Sequence, residues 1–240
     1  MVDESQNNSI ESINVLDVNY PLLKKFREMC PGTFKHSQNL VGLLEGIAMS
    51  LELDINSIKI MGQYHDIGKM MNPQYFVENQ LDDENPHDKL DPIISYQIIT
   101  RHVSDTALIL MSDLNFSREM IRIICQHHGT SIVKYFFDKS NRDVEDIFRY
   151  KCEKPTCVES AVLMICDQIE ARNRSELQAN KKKAEVVQII EDTINDLLSD
   201  GQLDDVVMRL GDLQKIKESL YKELESTFHK RVDYKKVKEV

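Results

Sequence analysis

His65 and Asp66 stand side by side in the run Tyr64-His65-Asp66-Ile67-Gly68-Lys69, with Lys69 about one helical turn further on. A histidine followed at once by an aspartate offers one imidazole nitrogen and two carboxylate oxygens, donors that divalent transition metals accept. The lysine adds a cation suited to a phosphate oxygen. The pair does not stand alone. His36 lies upstream, and His102, the doublet His127-His128 and Asp167 follow, so that five of the seven histidines fall into one ordered series with two acids.

Adjacent residues on a helix project about 100° apart, so His65 and Asp66 cannot duplicate one another. A histidine binds one ion, whereas a carboxylate can bridge two. That asymmetry points to a dinuclear site with Asp66 as the bridge. The residues available to complete it are His36, His65 and Asp167 for one ion and His102, His127 and His128 for the other. A mixed imidazole and carboxylate set favours Mn²⁺, Fe or Zn²⁺ over Mg²⁺ or Ca²⁺, which prefer oxygen alone. Two ions about 3.5–4 Å apart yield a bridging hydroxide and stabilise the entering and leaving oxygens of an in-line phosphoryl displacement. A phosphoester hydrolase is the expected chemistry. Asp66 and Lys69 would be its catalytic residues, with Lys69 either neutralising a phosphate oxygen or orienting the nucleophile. Lys69, His87 and Arg174 are the candidates for substrate contact.

The elements that must carry these residues read as helices nearly throughout. Leu22, Leu23 and Phe26 suggest a short helix that stops before Pro31-Gly32, and Leu40, Leu43, Leu44 and Ile47 mark one face of a second, over Phe34 to Leu51. A third is expected from Ile55 to about Met70, carrying His65, Asp66 and Lys69. Asn72 to Pro92 is a long polar segment holding three prolines and His87; a loop of that length within one domain is usually functional. Pro92 can open a helix through His102 to Asp113, and Ser117 can cap one that reaches His127-His128 and ends at Gly129. Asp138 to Pro155 looks irregular, Glu159 to Arg172 helical, and two amphipathic helices, Ala184 to Leu198 and Leu213 to Phe228, flank Asp200-Gly201. The expectation is an all-α fold in which residues 1–17 are a solvated leader and residues 18–240 one domain, residues 180–240 being a short helical C-terminal extension. The Leu and Ile stripes of the last two helices read as core or as a packing face, a homodimer surface being one version of the latter. The closing Lys230-Arg231 and Lys235-Lys236 cluster reads as a solvated tail.

Composition narrows the function. A formal charge of −10 argues against nucleic-acid polymers as partners. Any anionic substrate must be held by local cations in a pocket. The five cysteines, an odd number in a chain with room for a core, suit reduced thiols in a cytosolic setting. Cys152 and Cys157 have no second ligand pair beside them, so they do not make a structural zinc site. The polar N-terminus does not resemble a signal peptide, and no apolar run approaches the roughly 18 residues of a membrane span.

His36, His65-Asp66 and Asp167 reproduce the H…HD…D pattern of the HD-domain metal-dependent phosphohydrolases. Longer strings sharpen the match: Pro31-Gly32-Thr33-Phe34-Lys35-His36-Ser37, Phe76-Val77-Glu78-Asn79-Gln80, Asn85-Pro86-His87-Asp88-Lys89-Leu90, Gln126-His127-His128-Gly129-Thr130 and Asp200-Gly201-Gln202-Leu203. From about Leu22 onward the sequence resembles the cytoplasmic catalytic domain of the seven-transmembrane-receptor HD proteins, the PgpH-like cyclic-di-AMP phosphodiesterases. The resemblance implies an HD-domain helical bundle that hydrolyses cyclic di-AMP to the linear dinucleotide pApA with two divalent ions, commonly iron or manganese. One ion would take His36, His65, Asp66 and Asp167; the other would share Asp66 and take His102, His127 and His128. Relatives carry a membrane bundle ahead of this domain, so either a cytoplasmic domain of such a protein or a free-standing cytoplasmic relative is expected. Around Asp167, residues Cys166, Gln168, Arg172 and Asn173 depart from the small neutral residues of the family, which bears on nucleotide preference. Two alternatives stand beside this reading: a nucleotidase or dNTP phosphohydrolase, and a module that senses the nucleotide without turnover.

Overall fold

The computed structural model describes residues 14–80, 84–177 and 183–236; for 175–177, 183–184 and 226–236 it describes the backbone alone. Nine helices form among them: α1 (Pro21–Met29), α2 (Pro31–Leu51), α3 (Ile55–Tyr64), α4 (Pro92–Met111), α5 (Arg118–Ile124), α6 (Lys134–Ser140), α7 (Val158–Leu177), α8 (Lys183–Ser199) and α9 (Leu210–Lys236). Ile132 and Arg149 make an isolated antiparallel bridge, and no strand forms among the described residues. The all-α expectation holds.

Local chemistry explains where these helices begin. Pro31 sits at the first position of α2, where its missing N–H costs nothing, so Pro31-Gly32 opens this helix rather than merely ending α1. Asp54, Asp91 and Ser117 cap α3, α4 and α5 by accepting from the backbone N–H of Asn56, Ile93 and Met120. Helix α2 is the central element, packed against α3, α7 and α9. Its Leu40, Leu43, Leu44 and Ile47 meet Ile58 and Met61 of α3, Leu163 and Ile165 of α7, and Ile216, Leu220 and Leu224 of α9 in one buried cluster. Each such side chain contributes roughly 1.5–3 kcal/mol. Through Ile190, Ile194 and Leu197, α8 joins the same cluster. The C-terminal hairpin is thereby built into the core that holds the ligand-bearing helices.

Three differences from the sequence reading matter. Helix α3 stops at Tyr64 rather than near Met70. A helix not expected from the sequence, α6, runs into the start of the segment read as irregular, and its Phe136 joins Tyr96 and Phe148 in a small second core. Of the expected leader, Val15 is buried and its carbonyl accepts from the Tyr64 hydroxyl at 2.5 Å, while residues 1–13 lie outside the described ones. The long polar segment contains short 3₁₀ turns at Pro73–Tyr75, Val77–Asn79 and Pro86–Lys89. The closing basic cluster falls where the backbone alone is described, and that backbone is helical through Lys236.

Candidate metal centre

The early end of α3 is what presents His65 and Asp66. Thr106 of α4 intercepts the chain there: its hydroxyl donates to the His65 carbonyl at 3.1 Å and accepts the Gly68 N–H at 2.9 Å. Gly68 lies so close to α4 that a Cβ would sit 2.0 Å from the His102 carbonyl oxygen and 2.4 Å from the Thr106 nitrogen. Only glycine fits. With a 3₁₀ turn taking over at Ile67–Met71, His65 and Asp66 occupy the buried open end of the helix. His65 keeps helical φ and ψ while Asp66, at φ −108° and ψ 11°, leaves them, and both side chains face the same centre.

Two groups of donors meet at that point, and within each the donor atoms lie within 4.8 Å of one another: His36, His65 and Asp167 in the first, Asp66, His102, His127 and His128 in the second. His36 comes from the second turn of α2 and Asp167 from the middle of α7. Asp167 Oδ1 lies 3.0 Å from His36 Nε2 and 3.5 Å from His65 Nε2. His102 comes from α4, and the doublet from the turns between the end of α5 and Gly129. Asp66 stands between the groups. Its Oδ2 is 3.3 Å from His65 Nε2 and 3.9 Å from His36 Nε2, while its Oδ1 is 3.3 Å from His102 Nε2 and 3.8 Å from His127 Nε2.

The other ring nitrogen of each histidine fixes what faces inward. Nδ1 of His65, His102 and His127 lies 2.9, 2.6 and 2.7 Å from the carbonyl oxygens of Gly62, Ile99 and Ile124. A carbonyl only accepts, so each Nδ1 carries the proton and Nε2 turns inward. His36 differs, because its Nδ1 donates to the Glu170 carboxylate, which Asn39 holds from its other oxygen at 3.1 Å. His128 stacks on Tyr150, with ring centroids 4.3 Å apart.

Charge divides unequally between the groups. Burial opposes a charged His65, yet Asp66 and Asp167 outweigh it and push the ring up to about 10. His36 is raised likewise, against burial, by Asp167 and Glu170. The second group behaves in the opposite way. Burial, joined by His65, brings His127 down to about 3, and burial also lowers His102 and His128. Despite burial, Asp66 and Asp167 stay well below the usual carboxylate range, held there by Lys69 and His65 and by His36 and His65 respectively.

These donors suit a pair of divalent cations. His102 and His127 bring Nε2 atoms within 3.3 Å, and with both Nδ1 protons committed to carbonyls, two lone pairs face each other unless a cation lies between them. His65 Nε2 and Asp66 Oδ1 are buried without a hydrogen-bond partner, a costly arrangement that a cation would resolve. The cysteines take no part, all five being free thiols.

The remaining candidates separate. Lys69 belongs to the site: its Nζ lies 2.7 Å from Asp66 Oδ2 and 2.8 Å from Glu78 Oε1. Glu78, drawn down to about 2 by Lys69 against the effect of burial, also accepts from the Thr33 hydroxyl at 3.0 Å. His87 is not brought to the metal donors. It is buried between Tyr75 and Phe136, its Nε2 2.9 Å from the Tyr75 carbonyl, beside a cavity of about 270 Å³ that Phe76 also lines. Arg174 is half-buried on α7, one turn past Glu170, whose carboxyl is lowered by His36 and by Arg174 against burial. The sequence reading passed over Glu170 and Thr106, and quoted Glu78 within a family string without giving it a role. Glu170 carried a usable signal of its own, standing three residues after Asp167 and hence on the same helix face.

Known proteins resemble this chain in sequence and in fold. The chain is 37% identical over 228 residues to the cyclic-di-AMP phosphodiesterase PgpH of Bacillus subtilis, and 36% identical over 226 residues to its Listeria monocytogenes namesake. Each match covers 92% of this chain but only 32% and 31% of the relative, so the chain spans about a third of their length. The crystal structure of the L. monocytogenes phosphodiesterase PgpH HD domain superposes with a TM-score of 0.83 at 37% identity, covering 88% of this chain and all of that one. The same domain in complex with cyclic-di-AMP gives 0.82 at 37% identity, covering 87% and 98%. The HD domain family pattern itself matches residues 33–172, which include every residue of the two donor groups, and the chain belongs to the HD domain family.

Proposed function

We propose that the chain is a metal-dependent phosphodiesterase that hydrolyses cyclic di-AMP to the linear dinucleotide. The observation that carries this reading is Asp66, each of whose oxygens faces a different set of histidines. His36, His65, Asp66 and Asp167 would hold one divalent ion, and Asp66, His102, His127 and His128 the other. Manganese or iron suits the nitrogen-rich donor set, with zinc the remaining candidate. When bound, the ions supply a water of lowered pKa and positive charge for the phosphate oxygens. The chain's own contribution is positional. Backbone carbonyls fix three imidazoles, Glu170 fixes a fourth, and Lys69, held between Asp66 and Glu78, keeps a cation at the edge of the site.

Cyclic di-AMP as substrate rests on the relatives named for that activity and on the neighbouring HD domain solved with the nucleotide. The resemblance to the cytoplasmic domain of the membrane-anchored relatives leads us to place the reaction in the cytoplasm; separately, among the described residues no helix is long and apolar enough to cross a membrane. The test is turnover of cyclic di-AMP by the manganese-loaded protein, with cyclic di-GMP and dATP as competitors. Appearance of pApA, unaffected by dATP, supports the reading. Preference for dATP would favour a nucleotidase, and saturable binding without product would favour a sensor; either would overturn it.

A further inference from the structure

The Asp200-Gly201-Gln202 turn between α8 and α9 is distant in sequence from every candidate ligand, yet it reaches the loop that carries two of them. Gln202 is fully buried. Its Oε1 accepts the Thr130 N–H at 2.9 Å, and its Nε2 donates to the Thr130 hydroxyl at 3.0 Å and to Asp200 Oδ2 at 2.8 Å. Arg149 closes the arrangement. It donates to the Thr130 carbonyl at 3.0 Å and, through both terminal nitrogens, to the two Asp200 oxygens at 3.0 and 2.8 Å. Every polar group of Thr130 is thus held by residues outside its own loop.

Thr130 follows His127-His128-Gly129 directly. Gly129 has φ +49°, and a Cβ there would lie 2.4 Å from Gln202 Oε1. Only a glycine lets the turn come this close, and its left-handed conformation aims His128. The doublet is not held evenly. His127 has its own anchor at the Ile124 carbonyl, whereas His128 has the stack on Tyr150, a longer 3.9 Å contact from Nδ1 to Asp167 Oδ2, and the chain on either side. Tyr150 belongs to the same assembly, since its N–H donates to the Ser131 carbonyl at 3.0 Å.

From this geometry we infer that Gln202 is a positioning residue for the second metal position: through Thr130 and Gly129 the α8–α9 turn holds His128 in ligating geometry. The inference rests on the metal assignment proposed above. It gives the C-terminal hairpin a part in the chemistry and accounts for a sequence string that the ligand set leaves unused. Removing the amide of Gln202 takes the protein partners from the half-buried Thr130 N–H and hydroxyl and loosens the loop that they hold. Groups that orient a ligand from outside the ligand set are commonly worth about tenfold or more in metal affinity.

The experiment compares the wild-type chain, Gln202→Ala, Thr130→Val and a core control, Leu220→Ala, each stripped with chelator and titrated with Mn²⁺ by calorimetry. Bound manganese is counted after gel filtration, and thermal midpoints are recorded. The expected result is two ions on the wild type, with one weakened about tenfold in Gln202→Ala, less in Thr130→Val, and neither in Leu220→Ala at an equal or larger loss of thermal stability. Two ions at unchanged affinity in both turn variants would overturn the positioning role. So would equal weakening in Leu220→Ala, which would make the effect one of general stability. A wild-type chain that binds no manganese would instead overturn the metal assignment, a result visible before any variant is compared.

Discussion

The two donor groups share Asp66 but are built differently. His36, His65 and Asp167 come from helices sunk in the main core, and a second carboxylate, Glu170, stands behind His36. His102, His127 and His128 are backed by backbone carbonyls, an aromatic ring and a turn from the C-terminal hairpin. The first half concentrates negative charge and holds protons on its histidines; the second is a neutral cluster of imidazoles. Two chemically distinct positions follow, joined by Asp66, with Asp167 Oδ2 also 3.9 Å from His128 Nδ1. The first should attract a cation strongly and exchange it for protons. The second should depend on how well its loop is held.

Asp66→Ala tests the bridge and carries the largest expected effect. Both halves lose a donor and Lys69 loses its nearest carboxylate, so manganese stoichiometry should fall at both positions and turnover should disappear. Retention of one ion at wild-type affinity would show that the halves are independent and that Asp66 is no bridge.

Glu170→Gln separates the halves. The amide keeps nearly the same shape but removes the charge behind His36, and affinity at the first position should drop about tenfold, approaching a hundredfold for Glu170→Ala. The second position should be unchanged. Competition titration against a chelator reads both steps, and weakening of the two together would show that the halves are not distinct.

Proton release gives the same comparison without mutation. Ligands must be deprotonated to bind metal. His65, raised to about 10, carries its extra proton near pH 7 in the metal-free protein, and His36 is raised in the same direction. Loading the first position should therefore release protons, and its apparent affinity should rise with pH until the medium approaches 10. His127, lowered to about 3, and the likewise lowered His102 and His128 have none to release at pH 7. Calorimetry in buffers of different ionisation enthalpy should assign proton release to one binding step only. Equal release in both steps would contradict the charge asymmetry.

Residue type and order in the sequence were enough to place the donors in the two groups the fold brings together, because metal chemistry restricts which side chains qualify. The helices were legible from apolar periodicity for a similar reason. What stayed hidden were contacts whose chemistry is generic and whose partners are remote. Thr106 looks like any helical threonine until it is seen bonding His65 and Gly68 and ending α3. Ile67 and Met70 continue the apolar pattern beyond that end, since both are buried whether the backbone is α or 3₁₀. Gln202 meets Thr130 across 72 positions, a pairing that no local pattern encodes. α6 was missed because its seven residues span barely two turns, too short for a period to show.

The smallest expected effect lies at Tyr150, whose ring stacks on His128. If the second position depends on how its loop is packed, the flat face of the ring is the working part and the hydroxyl is not. Tyr150→Phe keeps that face, and the second-step affinity should stay within about twofold of wild type. Tyr150→Ala removes it. Aromatic pairs of this kind contribute about 0.5–1.5 kcal/mol, so the loss should be roughly twofold to tenfold and confined to the second position. A Phe variant as weak as the Ala variant would shift the weight from packing to the hydroxyl, and the second half would then be held polar group by polar group, as Glu170 holds the first.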